Sequence, residues 1–253
     1  MTPTPVGMRC PECSREKTKV TRGAKSFGRS NAAPATYVLI GMSVVGFLIE
    51  IAGGVGGLSG GGAVTNDFGL VPALVNDGEW YRLVTAGFLH AGPFHLLLNM
   101  FALYILGTML EPVIGTPRFI GIYVASLLSG SFGVVLLDPD SLGATVGASG
   151  AIFGLFAAAF VIARGRGLQD IASQIGFLIL INLAFTFGVP GISIGGHLGG
   201  LVGGGICALL VLAGDRGTFG PRRVVAEVGL MAALALICAV AAVVLSQPPS
   251  FLG

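Results

Sequence analysis

The sequence predicts an all-α, multi-pass membrane protein, and three observations agree on this fold class. Of the 253 residues, 53% are hydrophobic and only 10% are charged, whereas a soluble domain carries about 25% charged residues. Apolar segments close to the roughly 20 residues that cross a bilayer recur along the chain, and basic residues fall in alternate loops. The fourth segment is the shortest, which fits a helix that begins below the membrane surface. The predicted spans are residues 35–53, 94–112, 119–137, 147–163, 171–188, 192–214 and 224–246.

The basic residues predict the orientation of these spans, because Lys and Arg concentrate in cytoplasmic loops. Half of the 14 basic residues precede the first span. If that segment is cytoplasmic, all the other basic residues except Arg82 are cytoplasmic too. We therefore expect a protein of the cell membrane with its N-terminus in the cytoplasm and its C-terminus outside. The net charge of +2 then reflects topology, and nucleic acid is not expected as a partner.

Residues 1–34 are polar and lack the apolar core of a cleaved signal peptide, so they are expected to form a cytoplasmic tail. Cys10 and Cys13 have the spacing of half a zinc ribbon, but a closed zinc site needs four ligands and the tail offers no further Cys or His. Cys207 and Cys238 lie in apolar spans and cannot complete the site. The pair is interpreted either as a turn without metal, or as a zinc site shared between two chains or a redox pair.

His95 and Asn99 are polar residues four positions apart at the start of the second span. This spacing places them on one helical face near the outer end of the span. An imidazole and an amide at that depth are suited to donate hydrogen bonds to a developing oxyanion. The pair therefore predicts an oxyanion site.

Ser149 lies near the N-terminus of the fourth span, where free backbone N–H groups and the positive end of the helix dipole gather. Its own N–H could join the oxyanion site. Gly147 and Gly150 remove side chains that would block a carbonyl group approaching the hydroxyl. A serine at this place is either a nucleophile or a helix N-cap, and the soluble-hydrolase pattern G-x-S-x-G is not met because Ala151 occupies its last position.

His197 lies about five residues into the sixth span, at a depth that matches Ser149. Gly196, Gly200 and Gly204 recur every four residues around it, so this helix can approach a neighbour closely. A glycine stripe alone indicates only helix packing, but close approach of the fourth and sixth spans would bring the imidazole within about 2.6–3.2 Å of the hydroxyl. An ionisable residue within the bilayer is by default a functional residue.

The predicted catalytic unit is a dyad, because the fourth, fifth and sixth spans contain no Asp or Glu. A third residue mainly fixes the tautomer of the histidine and stabilises its charged form. Packing would have to take over that task. Phe153, one turn after Ser149, is placed to lie against the His197 ring.

Taken together, these motifs resemble the rhomboid intramembrane serine proteases over residues 35–214. The resemblance rests on Trp80-Tyr81-Arg82, His90, His95 through Asn99, Glu111 with Gly115 and Arg118, Gly147 through Gly150, and His197 with Gly200 and Gly204. It implies a six-helix core with Ser149 as nucleophile and His197 as general base. It further implies oxyanion donors in His95, Asn99 and the Ser149 N–H, and an aromatic ring, Phe153, stacked on the histidine.

The resemblance also implies how the chain is divided. We expect a tail over residues 1–34, a catalytic membrane domain over residues 35–214, and a linker with a seventh transmembrane helix and short tail over residues 215–253. This arrangement looks like the six-plus-one form found in part of the family. Residues 54–93 are expected to form a loop lying partly in the outer leaflet.

The predicted function is therefore that of a serine endopeptidase that cuts transmembrane segments of membrane-anchored substrates. Its partners would be such substrates and the lipid bilayer, and no cofactor is expected. One alternative is a catalytically silent rhomboid-like protein that binds membrane clients, against which the intact set of polar residues argues. A transporter is the other, but it would show internal repeats, and none is found between the two halves of the chain. The sequence leaves the substrate and the oligomeric state open.

Other polar residues are interpreted as structural. Glu111 and Arg118 bracket a short turn, where an ion pair or a helix cap is expected. His90 is expected to shape the external loop through a hydrogen bond, Glu50 to snorkel or to pair with that loop, and Asn182 to bridge helices. Small residues of the third span predict a tight helix interface: Ser126, Ser129, Gly130 and Ser131.

Overall fold

A computed structural model describes residues 2–4, 7–9, 32–53 and 61–246. The chain separates into two compact units, residues 1–31 and residues 32–253. In the first unit, strand β1 (Thr2–Thr4) pairs antiparallel with β2 (Gly7–Arg9). Cys10 and Cys13 lie outside the described residues, so the interpretation of this pair stays open.

The second unit is helical, which confirms the predicted all-α membrane fold. Among its described residues, seven apolar helices match the seven predicted spans to within three residues at each end, and six of them are long enough to cross a bilayer. The exception is the fourth, with 17 residues. Counting shorter helices of the connecting loop, the order is α1 Pro34–Ala52, α2 Ala63–Phe68, α3 Pro72–Asn76, α4 Arg82–Thr85, α5 Pro93–Ile114, α6 Thr116–Leu137, α7 Ser149–Gly165, α8 Gln169–Gly188, α9 Ile194–Asp215 and α10 Arg223–Leu245.

The third spanning helix, α6, lies at the centre of the bundle. Of its most apolar 18-residue stretch, 61% is buried, compared with 17% for the same measure in α8 and in α10. It packs against α7, α9 and α10. Small residues make this possible: a Cβ at Gly154 would overlap Ser126, and one at Gly203 would overlap Ser129. The predicted interface of small residues on this helix is thus present.

Helices α7 and α9 meet backbone to backbone. A Cβ placed on Gly200 would overlap the Gly150 carbonyl, and one on Gly204 would overlap the Gly154 carbonyl. Only glycine, which has no Cβ, allows such contacts. They give the closest approach between membrane helices. The glycine stripe of the sixth span therefore brings α9 onto α7, as predicted.

Residues 61–92, here called the covering loop, lie over one end of the bundle and are held there by buried polar contacts. Arg82, 3% exposed, donates to the carbonyls of Asn66 and Gly69. Ser131 of α6 donates to the Leu83 carbonyl at 2.7 Å. Glu50 of α1 accepts from the Thr65 hydroxyl and from the His90 backbone N–H, each at 2.8 Å. Of the two roles expected for Glu50, the structure has the pairing with the loop.

At the other end of the bundle, Glu111 is a cap and not the partner of Arg118. Its carboxylate accepts from the backbone N–H groups of Ala35 and Thr36, which satisfies the free donors at the start of α1. It also accepts from the Thr116 hydroxyl at the start of α6. The sequence left a cap and an ion pair open, and the cap is the arrangement found.

Arg118 instead pairs with Glu227 of the seventh spanning helix, α10. Glu227 is fully buried, and Arg118 is 8% exposed. Further along the same face, the Cys238 sulfur lies 3.3 Å from the Ser129 hydroxyl. A buried polar anchor therefore attaches α10 to α6. Residues 247–253, which were expected to form a short outer tail, lie outside the described part of the chain.

Candidate active site

Ser149 and His197 lie together at the end of the bundle that the loop covers. The Ser149 Oγ is 2.8 Å from the His197 Nε2, a hydrogen-bonding distance. The residues are 48 positions apart in the chain and come from α7 and α9. This is the pair that the sequence predicted as nucleophile and base.

The turn before α7 determines how Ser149 is presented. Ser149 is the first residue of the helix, and Ala148 occupies the N-cap position without a side-chain cap. The alternative in which Ser149 serves only as an N-cap is therefore not what the structure has. The Gly147 N–H donates to the Ala86 carbonyl at 2.9 Å, which fixes the turn to the covering loop. The hydroxyl is thus free to face His197.

Gly147 is required at its position for two reasons. Its φ of +128° is one that side-chain-bearing residues rarely adopt. In addition, a Cβ there would lie 2.8 Å from Cε1 and 3.0 Å from Nε2 of His95. Gly147 therefore leaves open the space between the imidazole of His95 and the hydroxyl of Ser149.

His95 and Asn99 lie on one face of α5, as their spacing predicted. The Ala91 N–H donates to the His95 Nδ1 at 3.2 Å. Nδ1 is then an acceptor, so the neutral ring carries its proton on Nε2, the nitrogen that faces Gly147. One amide N–H of Asn99 donates to the His95 carbonyl at 2.9 Å, and its second amide N–H is available to another acceptor. His95 thus presents a donor toward Gly147, two residues before Ser149, and Asn99 lies one turn further along α5.

Phe153 stacks on the His197 ring. Their ring centroids are 4.1 Å apart and the planes are inclined by 16°. The packing expected from the sequence is therefore in place, and it restricts how the imidazole can turn.

Sequence reasoning missed one neighbour of His197. The hydroxyl of Thr186, near the end of α8, lies 2.7 Å from Nδ1. Thr186 is 2% exposed, although most of α8 faces outward. A threonine close to the end of an apolar segment carries no signal by itself. Asn182, expected to bridge helices, instead donates to the Leu178 carbonyl within α8.

Two titratable groups of the covering loop, His90 and Glu79, have shifted pKa values. His90 is fully buried, and burial lowers its pKa to about 3, so its ring is neutral at pH 7. The hydrogen bond at His90 that ties the loop to α1 is made by its backbone N–H, which donates to Glu50 at 2.8 Å. The hydrogen bond from Arg82 lowers the pKa of Glu79. In the described ranges no group of three His, Cys, Asp or Glu residues could hold a metal ion.

A serine hydroxyl hydrogen-bonded to an imidazole, inside a bundle of apolar helices, defines this chain as a multi-pass membrane protein with a hydrolase-like site. The rhomboid domain matches residues 77–214, which is more than half of the chain. The chain belongs to the rhomboid family.

Three relatives illustrate the match. The chain is 38% identical over 197 residues to Rhomboid protease GluP of Bacillus subtilis, covering 74% of this chain and 36% of that protein. It is 36% identical over 140 residues to YdcA of the same organism, covering 54% of this chain and 69% of that protein. RHOMBOID-like protein 5 of Arabidopsis thaliana is 35% identical over 144 residues, covering 55% of this chain and 46% of that protein. The chain thus spans about a third of GluP and about two thirds of YdcA.

Proposed function

We propose that this protein is an intramembrane serine endopeptidase that cuts transmembrane segments with a Ser149–His197 dyad. The observation that carries the proposal is the 2.8 Å contact between Ser149 Oγ and His197 Nε2. Membership of the rhomboid family and the protease names of its relatives support it.

The first step is attack of the Ser149 oxygen on the carbonyl carbon of a peptide bond. Its proton passes to His197 Nε2, the C–O bond forms, and the carbonyl π electrons move onto oxygen. That oxyanion would accept from His95 Nε2–H, from the free N–H of Asn99 and from the backbone N–H of Ser149. Fixed donors of this kind are often the largest single contribution to acyl-transfer catalysis.

Collapse of the intermediate breaks the C–N bond, and His197 gives its proton to the leaving amine. Water then attacks the acyl-enzyme, with His197 as base, and releases Ser149. Water therefore has to reach the start of α7. The covering loop lies beside this point, and α7 is shorter than the other spans, which supports entry from that end of the bundle.

The substrate would be a transmembrane segment that loses helical structure near the cut. A regular helix has its carbonyl groups engaged in i→i−4 hydrogen bonds, so Ser149 cannot attack without local unwinding. Helix-breaking or small residues near the cleaved bond are therefore the expected preference.

The decisive experiment is labelling of purified protein by a serine-reactive fluorophosphonate, with Ser149→Ala as the matched control. Wild type should be labelled and should cut a transmembrane test substrate in liposomes. Ser149→Ala, His197→Ala and the double variant should each lose nearly all cleavage, and the double should be no worse than either, because residues that act as a unit are not additive. Wild-type cleavage by Ser149→Ala would refute the serine mechanism, and a folded, unlabelled wild type would favour the catalytically silent alternative.

We also propose that the site faces outward in the cell membrane, with the N-terminus in the cytoplasm. The proposal rests on the distribution of basic residues. A cysteine at position 142, in the loop before α7, should react with a membrane-impermeant maleimide on intact cells, and one at position 218, between α9 and α10, should not. The background would lack Cys10, Cys13, Cys207 and Cys238. Labelling at position 218 without labelling at position 142 would invert the orientation.

A further inference from the structure

We propose that Thr186 is the positioning residue of His197 and holds its ring in the tautomer with the proton on Nδ1. A proton on Nδ1 leaves Nε2 free to accept from Ser149, which is the form a general base needs. The kinetic part of this inference rests on the proposed function, whereas its structural part does not.

The direction of the hydrogen bonds follows from counting hydrogens. The Thr186 hydroxyl has one hydrogen, and its oxygen lies 2.8 Å from the Asn182 carbonyl and 2.7 Å from His197 Nδ1. A carbonyl can only accept, so a hydroxyl that donates to it must accept from Nδ1–H. The chain of bonds then runs from Ser149 through His197 and Thr186 to Asn182, and each step has one donor and one acceptor.

If the hydrogen bonds ran in the opposite direction, one hydrogen bond fewer would be made. If the Thr186 hydroxyl donated to Nδ1, its bond to the Asn182 carbonyl would be lost. Nε2 would then carry the proton and donate to Ser149, so the serine hydrogen would point away from the base. Because the forward chain makes the additional bond to the Asn182 carbonyl, it is the favoured one.

The burial of Thr186 indicates that this contact is more than a local bond within a helix. A threonine often donates to the carbonyl four residues earlier, and that bond needs no burial. Thr108 of α5 makes the same bond, to the Tyr104 carbonyl at 2.7 Å, on an exposed surface. Thr186, by contrast, is 2% exposed. The other buried residues of its helix, Ala172 and Ile175, lie several helical turns before it.

The location at the end of α8 gives a second effect on the same nitrogen. The helix ends at Gly188, and the last carbonyl groups of a helix carry partial negative charge. Thr186, whose hydroxyl contacts Nδ1, lies two residues before that end. The partial charge of the terminal carbonyl groups therefore favours the imidazolium that forms when His197 takes the serine proton, a role that a buried carboxylate fills in a triad.

The test compares Thr186→Val, which keeps the shape and removes the hydroxyl, with Thr186→Ser, which keeps the hydroxyl. Thr108→Val is the matched control for loss of a helical threonine bond. In detergent micelles, ¹⁵N spectra of histidine-labelled protein report which ring nitrogen carries the proton, and a His197→Ala sample assigns the signals. Wild type, Thr186→Ser and Thr108→Val should have the His197 proton on Nδ1, and Thr186→Val should shift it toward Nε2.

The kinetic expectation is a fall in kcat of about 10- to 100-fold for Thr186→Val, with KM nearly unchanged, because one buried donor loses its partner. Thr186→Ser should restore most of the rate, and Thr108→Val should match wild type. An unchanged tautomer in Thr186→Val, or a Thr186→Ser variant as slow as Thr186→Val, would overturn the inference. If wild type neither cuts nor reacts with the fluorophosphonate, the proposed function fails, and the ¹⁵N comparison alone then decides the role of Thr186.

Discussion

Two contacts hold His197, which lies on α9, in different ways. On one side, α9 meets α7 through glycines, and a Cβ on Gly200 or Gly204 would overlap backbone atoms of α7. On the other side, α8 exposes most of its side chains and reaches the imidazole through the hydroxyl of Thr186. The first contact is between backbones, and the second is made by a side chain.

Under the proposed mechanism, this difference separates two requirements of proton transfer from Ser149 to His197. The distance between Ser149 and His197 has to be held within a fraction of an ångström. A contact between two helix backbones fixes it, because no side chain lies between them that could move. The direction in which the ring carries its proton needs only one hydrogen bond, which a rotatable side chain can supply. In this mechanism α8, the less buried helix, orients the His197 ring. The buried pair α7 and α9 sets the distance between Ser149 and His197.

The largest effect is expected where a side chain stabilises charge instead of setting distance. Asn99→Ala should lower kcat by about 10²- to 10³-fold, the usual loss for one oxyanion donor, with KM nearly unchanged. Steady-state cleavage of a transmembrane substrate in liposomes measures both constants. Leu98→Ala, at the neighbouring exposed position, is the control and should match wild type. A change mainly in KM would assign Asn99 to substrate binding.

The next effect tests the backbone contact directly. Gly200→Ala should lower kcat by about 10²-fold, because the added Cβ forces α9 away from Gly150 and displacing a reacting group by about 1 Å costs that much. It should also lower the melting temperature in detergent.

Gly205→Ala is the matched control for Gly200→Ala, since a Cβ there meets nothing within 4 Å. It should melt and cut like wild type. If Gly200→Ala did the same, the close contact of α7 and α9 would not be what sets the distance between the hydroxyl and the imidazole.

The sequence predicted the backbone-held part of the site better than the side-chain part. Seven spans and the pairing of Ser149 with His197 could be predicted because hydrophobic length and a glycine repeat are local patterns. Phe153 could be placed because it is one helical turn from Ser149. The partners of Thr186, Glu111 and Glu227 could not, because these contacts join different helices and depend on how the helices rotate against each other.

The seventh helix offers a third kind of contact, a buried ion pair. Glu227→Leu should destabilise the protein by about 3–5 kcal/mol, because it leaves Arg118 buried without a counter-charge. Arg118→Leu combined with Glu227→Leu should recover much of that loss. Thermal melting in detergent measures both, while kcat per folded molecule should stay unchanged. A fall in kcat at full folding would show that α10 acts on the site.

The smallest effect is expected for the same Gly→Ala change made on α8. A Cβ on Gly176 would lie 3.2 Å from the edge of the Phe160 ring, a side chain that can move by a few tenths of an ångström, and not against backbone. Gly176→Ala should therefore change kcat by no more than about twofold, as for substitutions that break no buried contact. Comparing its kcat with that of Gly200→Ala shows whether α8 tolerates an added Cβ that α9 does not. A loss as large as that of Gly200→Ala would mean that α8 is held as tightly as α9, and the division between distance and orientation would fail.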